Sequence, residues 1–187
     1  MRVLICGIHE SAQSRECSLG FAQMMLDLPF GLPGVSNVHL EFAASTADAA
    51  RLLDRFPGVD VLACIPVFKS NIQFVRSAVQ QTDKALVLGA VPQGRVDWQR
   101  VQRGEPAYGF DERFLGRTRP ETFDGTYVRV DATLEEAMRE SDCFVAHLRD
   151  DPARQGVWVD VKNVMNCALH FDFVGSVLPR VLSTASR

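Results

Sequence analysis

The chain has 187 residues, 47% of them hydrophobic and 23% charged, with a formal net charge of −3. That length can bury a full apolar core in a single domain, and the composition excludes disorder on a large scale. The slightly acidic balance offers no basic field, so nucleic acid and anionic membrane surfaces are not expected partners.

Residues 2–8 (RVLICGI) form a continuous apolar run, the pattern of a strand buried on both faces of a sheet. Residues 18–28 carry helical periodicity through Leu19, Met24, Met25 and Leu28, and Pro29 and Pro33 then break the chain. Residues 38–42 alternate like a second strand. Ser45 and Thr46 can cap a helix running to Arg55, with Asp48 in its first turn favoured by the helix dipole. Residues 59–67 (VDVLACIPV) read as a third strand, 71–81 as a helix and 85–91 (ALVLGAV) as a fourth strand. A β-α-β-α-β-α-β order predicts a mostly parallel sheet with helices on both faces.

Beyond Pro92 the pattern changes. Residues 99–125 show weak periodicity, several glycines and prolines, and the arginines Arg113, Arg117 and Arg119. Such a long irregular excursion fits a binding surface for a phosphate or an acidic partner, or a solvated loop. Residues 126–130 predict a strand. Residues 133–149 predict a helix, capped by Thr133, with Glu136 completing a capping box and Leu134, Ala137, Met138 and Phe144 on its apolar side. Residues 156–161 predict a strand, and 173–182 a terminal helix or turn.

Three of the twenty basic residues are lysines (Lys69, Lys84 and Lys162), so seventeen are arginines, a skew that a GC-rich genome explains as readily as anion binding. The five cysteines, Cys6, Cys17, Cys64, Cys143 and Cys167, are scattered and show no zinc spacing or disulfide framework. No apolar run approaches the roughly 20 residues of a membrane span, and 1–8 is too short for a secretory h-region. The expected location is the cytoplasm, or the virion if the chain is viral. His9-Glu10 lacks the second His of a zincin motif, and Ser11, Ser14 and Cys17 lack a nucleophile-elbow context. His9 follows the first strand, where α/β ligands bind, and reads equally as a satisfied polar residue. Trp98 and Trp158 sit where core packing is expected, with a sugar-stacking role open.

Residues 59–98 resemble the nucleotide-binding half of a GT-A-type glycosyltransferase family found in bacteria, phages and large DNA viruses. That half runs an apolar strand into Asp-x-Asp, then a helix, then a strand into Tyr-Pro-x-Lys and Ile-Asp-Trp. Here Asp83-Lys84 precedes the fourth strand, Val91-Pro92-Gln93-Gly94 stands in the Tyr-Pro-x-Lys place, and Val96-Asp97-Trp98 follows. Further on, Ser141-Asp142-Cys143-Phe144 is similar to the family's Glu-Asp-x-x-Phe helix. Gly156-Val157-Trp158-Val159-Asp160 is similar to its Gly-x-x-Trp-x-Asp strand, and the tail through Phe173 and Gly175 keeps the spacing of its ending. The resemblance implies one GT-A-like domain: a nucleotide-binding-like half, 1–98, and an acceptor-like half, 99–187.

It also implies where chemistry should sit. Transfer from a nucleotide diphosphate sugar builds charge on the departing diphosphate, which a divalent cation held by hard oxygen ligands neutralises. The two ligand aspartates fall on Pro66 and Phe68, the metal-site His on Cys167 with His170 three residues later, and the phosphate-contacting Lys on Gly94; a proline after the first strand falls on Ile8. No metal or cofactor is therefore expected. Losing one preorganised charge partner typically costs about 10²–10³ in rate. Asp142 alone retains a catalytic place, that of the base toward the acceptor hydroxyl; it reads otherwise as a solvated helix carboxylate or an ion-pair partner, for instance of His147 or Arg139. The family's Gly-x-Gly acceptor segment is missing, since Val130-Asp131 leads almost directly into Thr133. The expectation is a non-catalytic protein with a structural or assembly role, binding protein partners in a larger complex, conceivably a virion. The alternative is a metal-independent transferase that takes a nucleotide sugar and uses Asp142 and arginines.

Overall fold

The computed structural model describes residues 1–8, 32–66, 72–89, 92–93, 109–110, 114–141 and 143–161. The apolar runs become strands because only a sheet interior satisfies their backbone groups while both side-chain faces stay dry. Strand β1 (Arg2–Ile8) buries every residue after Arg2, and β3 (Val61–Pro66) and β4 (Lys84–Leu88) are buried throughout. The other strands are β2 (Asn37–Ala43), the short pair β5 (Pro92–Gln93) and β6 (Gly109–Phe110), β7 (Thr118–Arg119), β8 (Tyr127–Val130), β9 (Phe144–His147) and β10 (Gln155–Asp160). Three α-helices accompany them among the described residues: α1 (Thr46–Leu52), α2 (Ile72–Val79) and α3 (Leu134–Glu140).

Among the described residues one sheet has eight strands, in the order β2-β1-β3-β9-β4-β10-β8-β7, and β5 pairs with β6 in a separate antiparallel ribbon. The main sheet is mixed rather than mostly parallel by pairing. β1–β2, β1–β3 and β4–β10 are parallel; β3–β9, β9–β4, β10–β8 and β8–β7 are antiparallel. Helices cover both faces. Leu4, Cys6, Leu62 and Cys64 pack on the side of Ala49 from α1 and Ala137 from α3. Val3, Ile5, Ala63 and Ile65 pack on the side of Phe74, Val75 and Ala78 from α2.

The largest departure from the sequence expectation lies between 133 and 149. The helix predicted there stops at Glu140, because Ser141 is already extended (φ −112°, ψ 135°) and Cys143 leads into β9. Phe144–His147 is a four-residue run buried at every position, hydrogen-bonded to β3 on one side and β4 on the other. An interior slot between two strands outweighs the weak helical periodicity that carried on from Met138. The start of α3 is as expected: Thr133 Oγ1 accepts the Glu136 amide at 3.1 Å. The Glu136 carboxylate, however, turns to Arg117 instead of completing the box. Ser45 caps α1 through the Asp48 amide, and the helix tightens into a 3₁₀ turn over Leu53–Arg55. The helices expected at 18–28 and 173–182 lie outside the described residues.

Asp60 pins the opposite, amino-terminal end of the sheet. Its buried carboxylate accepts the Arg2 amide at 2.7 Å and Arg149 Nε at 2.5 Å, with the chain's α-amino group 4.0 Å away. Burial alone would raise its pKa, but the Arg2 amide and the Arg149 guanidinium outweigh it and hold the carboxyl below the usual range. A lowered folded pKa means stability that is present above the unfolded value of about 3.9 and lost as pH falls through the folded one. Asp60→Asn keeps an acceptor for the Arg2 amide but no charge. It is expected to cost about 1–2 kcal/mol at pH 7 and to flatten the acid limb below pH 4 in urea titrations; an unchanged acid limb would refute this role.

Gly89, just past β4, has no room for a side chain. A Cβ there would lie 2.7 Å from Cys143 Sγ and 2.9 Å from the Phe74 ring, whose residue is 1% exposed. Gly89→Ala is therefore expected to destabilise by about 1–3 kcal/mol through overpacking, measured as a lowered midpoint in chemical denaturation.

Candidate binding cleft at the carboxyl ends of the strands

The antiparallel β9 between β3 and β4 leaves β1, β2, β3, β4 and β10 all pointing the same way. Their carboxyl ends, Ile8, Ala43, Pro66, Leu88 and Asp160, share one end of the sheet. From β1 the chain passes to β2 on one side, and from β3 to β4 on the other. The ends of β1 and β3 thus form the switch point of an open α/β sheet, the place where ligands of such sheets bind.

Among the described residues, the side chains at this point are apolar. Ile8 and Pro66 are register partners in the last rung between β1 and β3, and both are buried. Ala43 adjoins on the β2 side, and Cys143, 2% exposed, on the β9 side, where its carbonyl accepts the Gly89 amide at 2.9 Å. Pro66, at the place the resemblance gives to the first ligand aspartate, has no side-chain atom that can coordinate a cation. A carboxylate does reach this end of the sheet further along: Asp160, 3% exposed, closes β10 opposite Tyr127 on β8. Among the described residues no three His, Cys, Asp or Glu side chains are gathered so that they could hold a metal ion.

Several residues singled out from the sequence, His9, Phe68, Gly94, Trp98, Arg113, Asp142, Cys167 and His170, lie outside the described residues. Arg139 and His147, the partners suggested for Asp142, are themselves among the described residues. Arg139 reaches Glu140 at 3.2 Å, and His147 Nε2 is 3.3 Å from the Ala78 carbonyl. The two described arginines of the excursion are engaged. Arg117 forks onto both oxygens of Glu136 at 2.6 and 3.1 Å, and Arg119 Nη2 meets Asp131 Oδ1 at 2.9 Å. The Arg117 hydrogen bonds hold the Glu136 carboxyl below its ordinary pKa. An incoming phosphate would have to displace those carboxylates.

A buried polar cluster has no signature in the sequence. Lys84, 4% exposed at the head of β4, places Nζ 3.1 Å from Asp83 and 3.3 Å from Asp124. The same ammonium lies 4.9 Å from the Tyr127 ring centre and 4.7 Å from that of Trp158. Asp124 also accepts the amides of Thr126 and Tyr127, at 2.9 and 2.7 Å. Burial would raise its pKa, but those amides and Lys84 prevail and hold it low. The Tyr127 hydroxyl is hydrogen-bonded to Ser77 on α2. Burial pushes the phenol up, with Asp160, Asp124 and Asp83 acting in the same direction against Ser77. Trp158 packs on the core and donates Nε1–H to the Gln155 carbonyl at 2.7 Å, so its ring serves Lys84 and the core.

This cluster joins α2, β4, β8 and β10. Lys84→Met, which keeps the aliphatic stem, is expected to destabilise by about 2 kcal/mol, since two partly exposed carboxylates lose their cation and two rings their cation–π partner. Urea denaturation at pH 7 measures it; a loss below about 0.5 kcal/mol would mark the cluster as incidental.

Comparison with protein-family models, with curated proteins and with solved structures finds no match for this chain.

Proposed function

We propose that the chain is a glycosyltransferase-like protein of GT-A descent that has no transferase chemistry of its own and acts by binding, as a structural or assembly subunit of a larger complex such as a virion. The observation that carries this reading is the Ile8–Pro66 rung: the switch point of the sheet ends in two buried apolar side chains. A diphosphate leaving group in that position gains no cation from Pro66 and no hydrogen bond from either side chain. Catalysis of this kind usually draws most of its rate from preorganised charge, and these residues supply none.

The sheet, with helices on both faces, is then a scaffold for surface contacts. Fold alone decides nothing here, because function resides in the site. The alternative of a metal-independent transferase needs free arginines to compensate charge, and Arg117 and Arg119 are already paired with Glu136 and Asp131. Those pairings favour the binding role.

Calorimetric titration of the whole protein with common nucleotide sugars, in the presence of Mn²⁺, is expected to give no binding heat up to millimolar ligand. Light scattering on the native preparation is expected to find the chain in an assembly with itself or with a stoichiometric partner. Micromolar nucleotide-sugar binding would contradict the loss of chemistry, and a lone monomer with no co-purifying partner would contradict the assembly role.

A further inference from the structure

His147 is the last residue of β9 and lies in the interior, 8% exposed. Its Nε2 is 3.3 Å from the carbonyl of Ala78, in the last turn of α2. That carbonyl also accepts the Gln81 amide at 3.1 Å, so the imidazole is a second donor to it, and the one that comes from the sheet. A carbonyl can only accept; Nε2 therefore carries the proton, and neutral Nδ1 is left as a bare acceptor. Among the described residues Nδ1 is buried without a hydrogen-bond partner. A second proton would make it a buried donor with nothing to receive it, and would place a full charge in the core.

The charged groups on the surrounding elements are Arg76 of α2, Asp60 ahead of β3, Asp83 and Lys84 at the head of β4, and Arg149 and Arg154 after β9. Asp60 is taken by Arg149, and Lys84 by Asp83 and Asp124. Burial is the main force holding the ring neutral. Arg154 acts in the same sense, while the Ala78 carbonyl and the exposed Asp83 act against it without prevailing. Neutrality is thus what the packing demands.

We propose that His147 is an acid-sensitive latch: neutral, it packs dry between β9 and the last turn of α2, and protonated, its buried charge and partnerless Nδ1–H are relieved when α2 moves off the sheet and admits water, before the sheet itself melts. The helix it holds follows β3 in the chain. A group with a depressed folded pKa stabilises the closed form above its unfolded value of about 6.5 and loses that contribution as pH falls through the folded value. The chain has three other histidines, so the His147→Gln variant is what isolates this imidazole.

Hydrogen exchange by mass spectrometry between pH 7.5 and 5.5, corrected for intrinsic rates, tests it on the whole protein. Protection over 72–79 is expected to fall below pH 6.5 by up to about tenfold per pH unit, one proton's worth of linkage, while β1 and β3 keep theirs. His147→Gln retains a donor for the Ala78 carbonyl and cannot titrate, so protection over 72–79 becomes flat. Flat protection in the wild type, a fall that persists in the variant, or simultaneous loss in α2 and the sheet would each overturn the latch. An NMR titration of the wild-type imidazoles needs no variant: a His147 pKa below 6.5 supports the proposal, and one at or above it overturns it.

Discussion

The sheet holds together through β9. Four residues, Phe144 to His147, lie antiparallel between β3 and β4 and are the sole link in the strand order between the β2-β1-β3 half and the β4-β10-β8-β7 half among the described residues. Every side chain of the strand is buried and both of its edges are hydrogen-bonded. A strand in that position leaves no edge for water, and removing it would expose a row of unpaired groups on each half.

The remaining architecture is arranged around this insertion. Because β9 runs against its neighbours, β3 and β4 point the same way although they do not touch, and the carboxyl ends of five strands meet at one end of the sheet. Because β9 begins at Phe144, α3 must stop by Glu140, and the turn between them falls at that same end. Cys143 packs against Gly89 there, and at the far end of the strand His147 reaches α2. Two charged nodes secure the flanks: Asp60 with Arg2 and Arg149 at the amino-terminal side, and Lys84 with Asp83 and Asp124 beneath two aromatic rings.

The uninterrupted apolar runs were legible in the sequence as strands, since β1, β3 and β4 depend on local composition. The Ser45 and Thr133 caps were legible for the same reason: a hydroxyl and an amide three residues on are all they need. β9 was not. Four residues are too few to establish a period, and Phe144 falls in helical phase with Ala137, so only its tertiary slot distinguishes strand from helix. The Lys84 cluster draws on positions 77, 83, 84, 124, 127 and 158, and no local signal links them. The arginine cluster was visible, but the carboxylates that occupy it come from α3 and the turn before it. At the cleft, Pro66 stood out only against the resemblance; the buried rung it forms with Ile8 is a property of the folded sheet.

The central proposal is that the β1–β3 strand end, where Ile8 and Pro66 are the described side chains, does not seat a cation and a diphosphate. Crystals soaked with manganese and a nucleotide diphosphate sugar test this most directly, through the anomalous signal of the metal. The account predicts no anomalous peak within coordination distance of the chain following Pro66 and no ordered diphosphate beside it. A manganese ion seated there, bridging protein oxygens to a bound diphosphate, would contradict it.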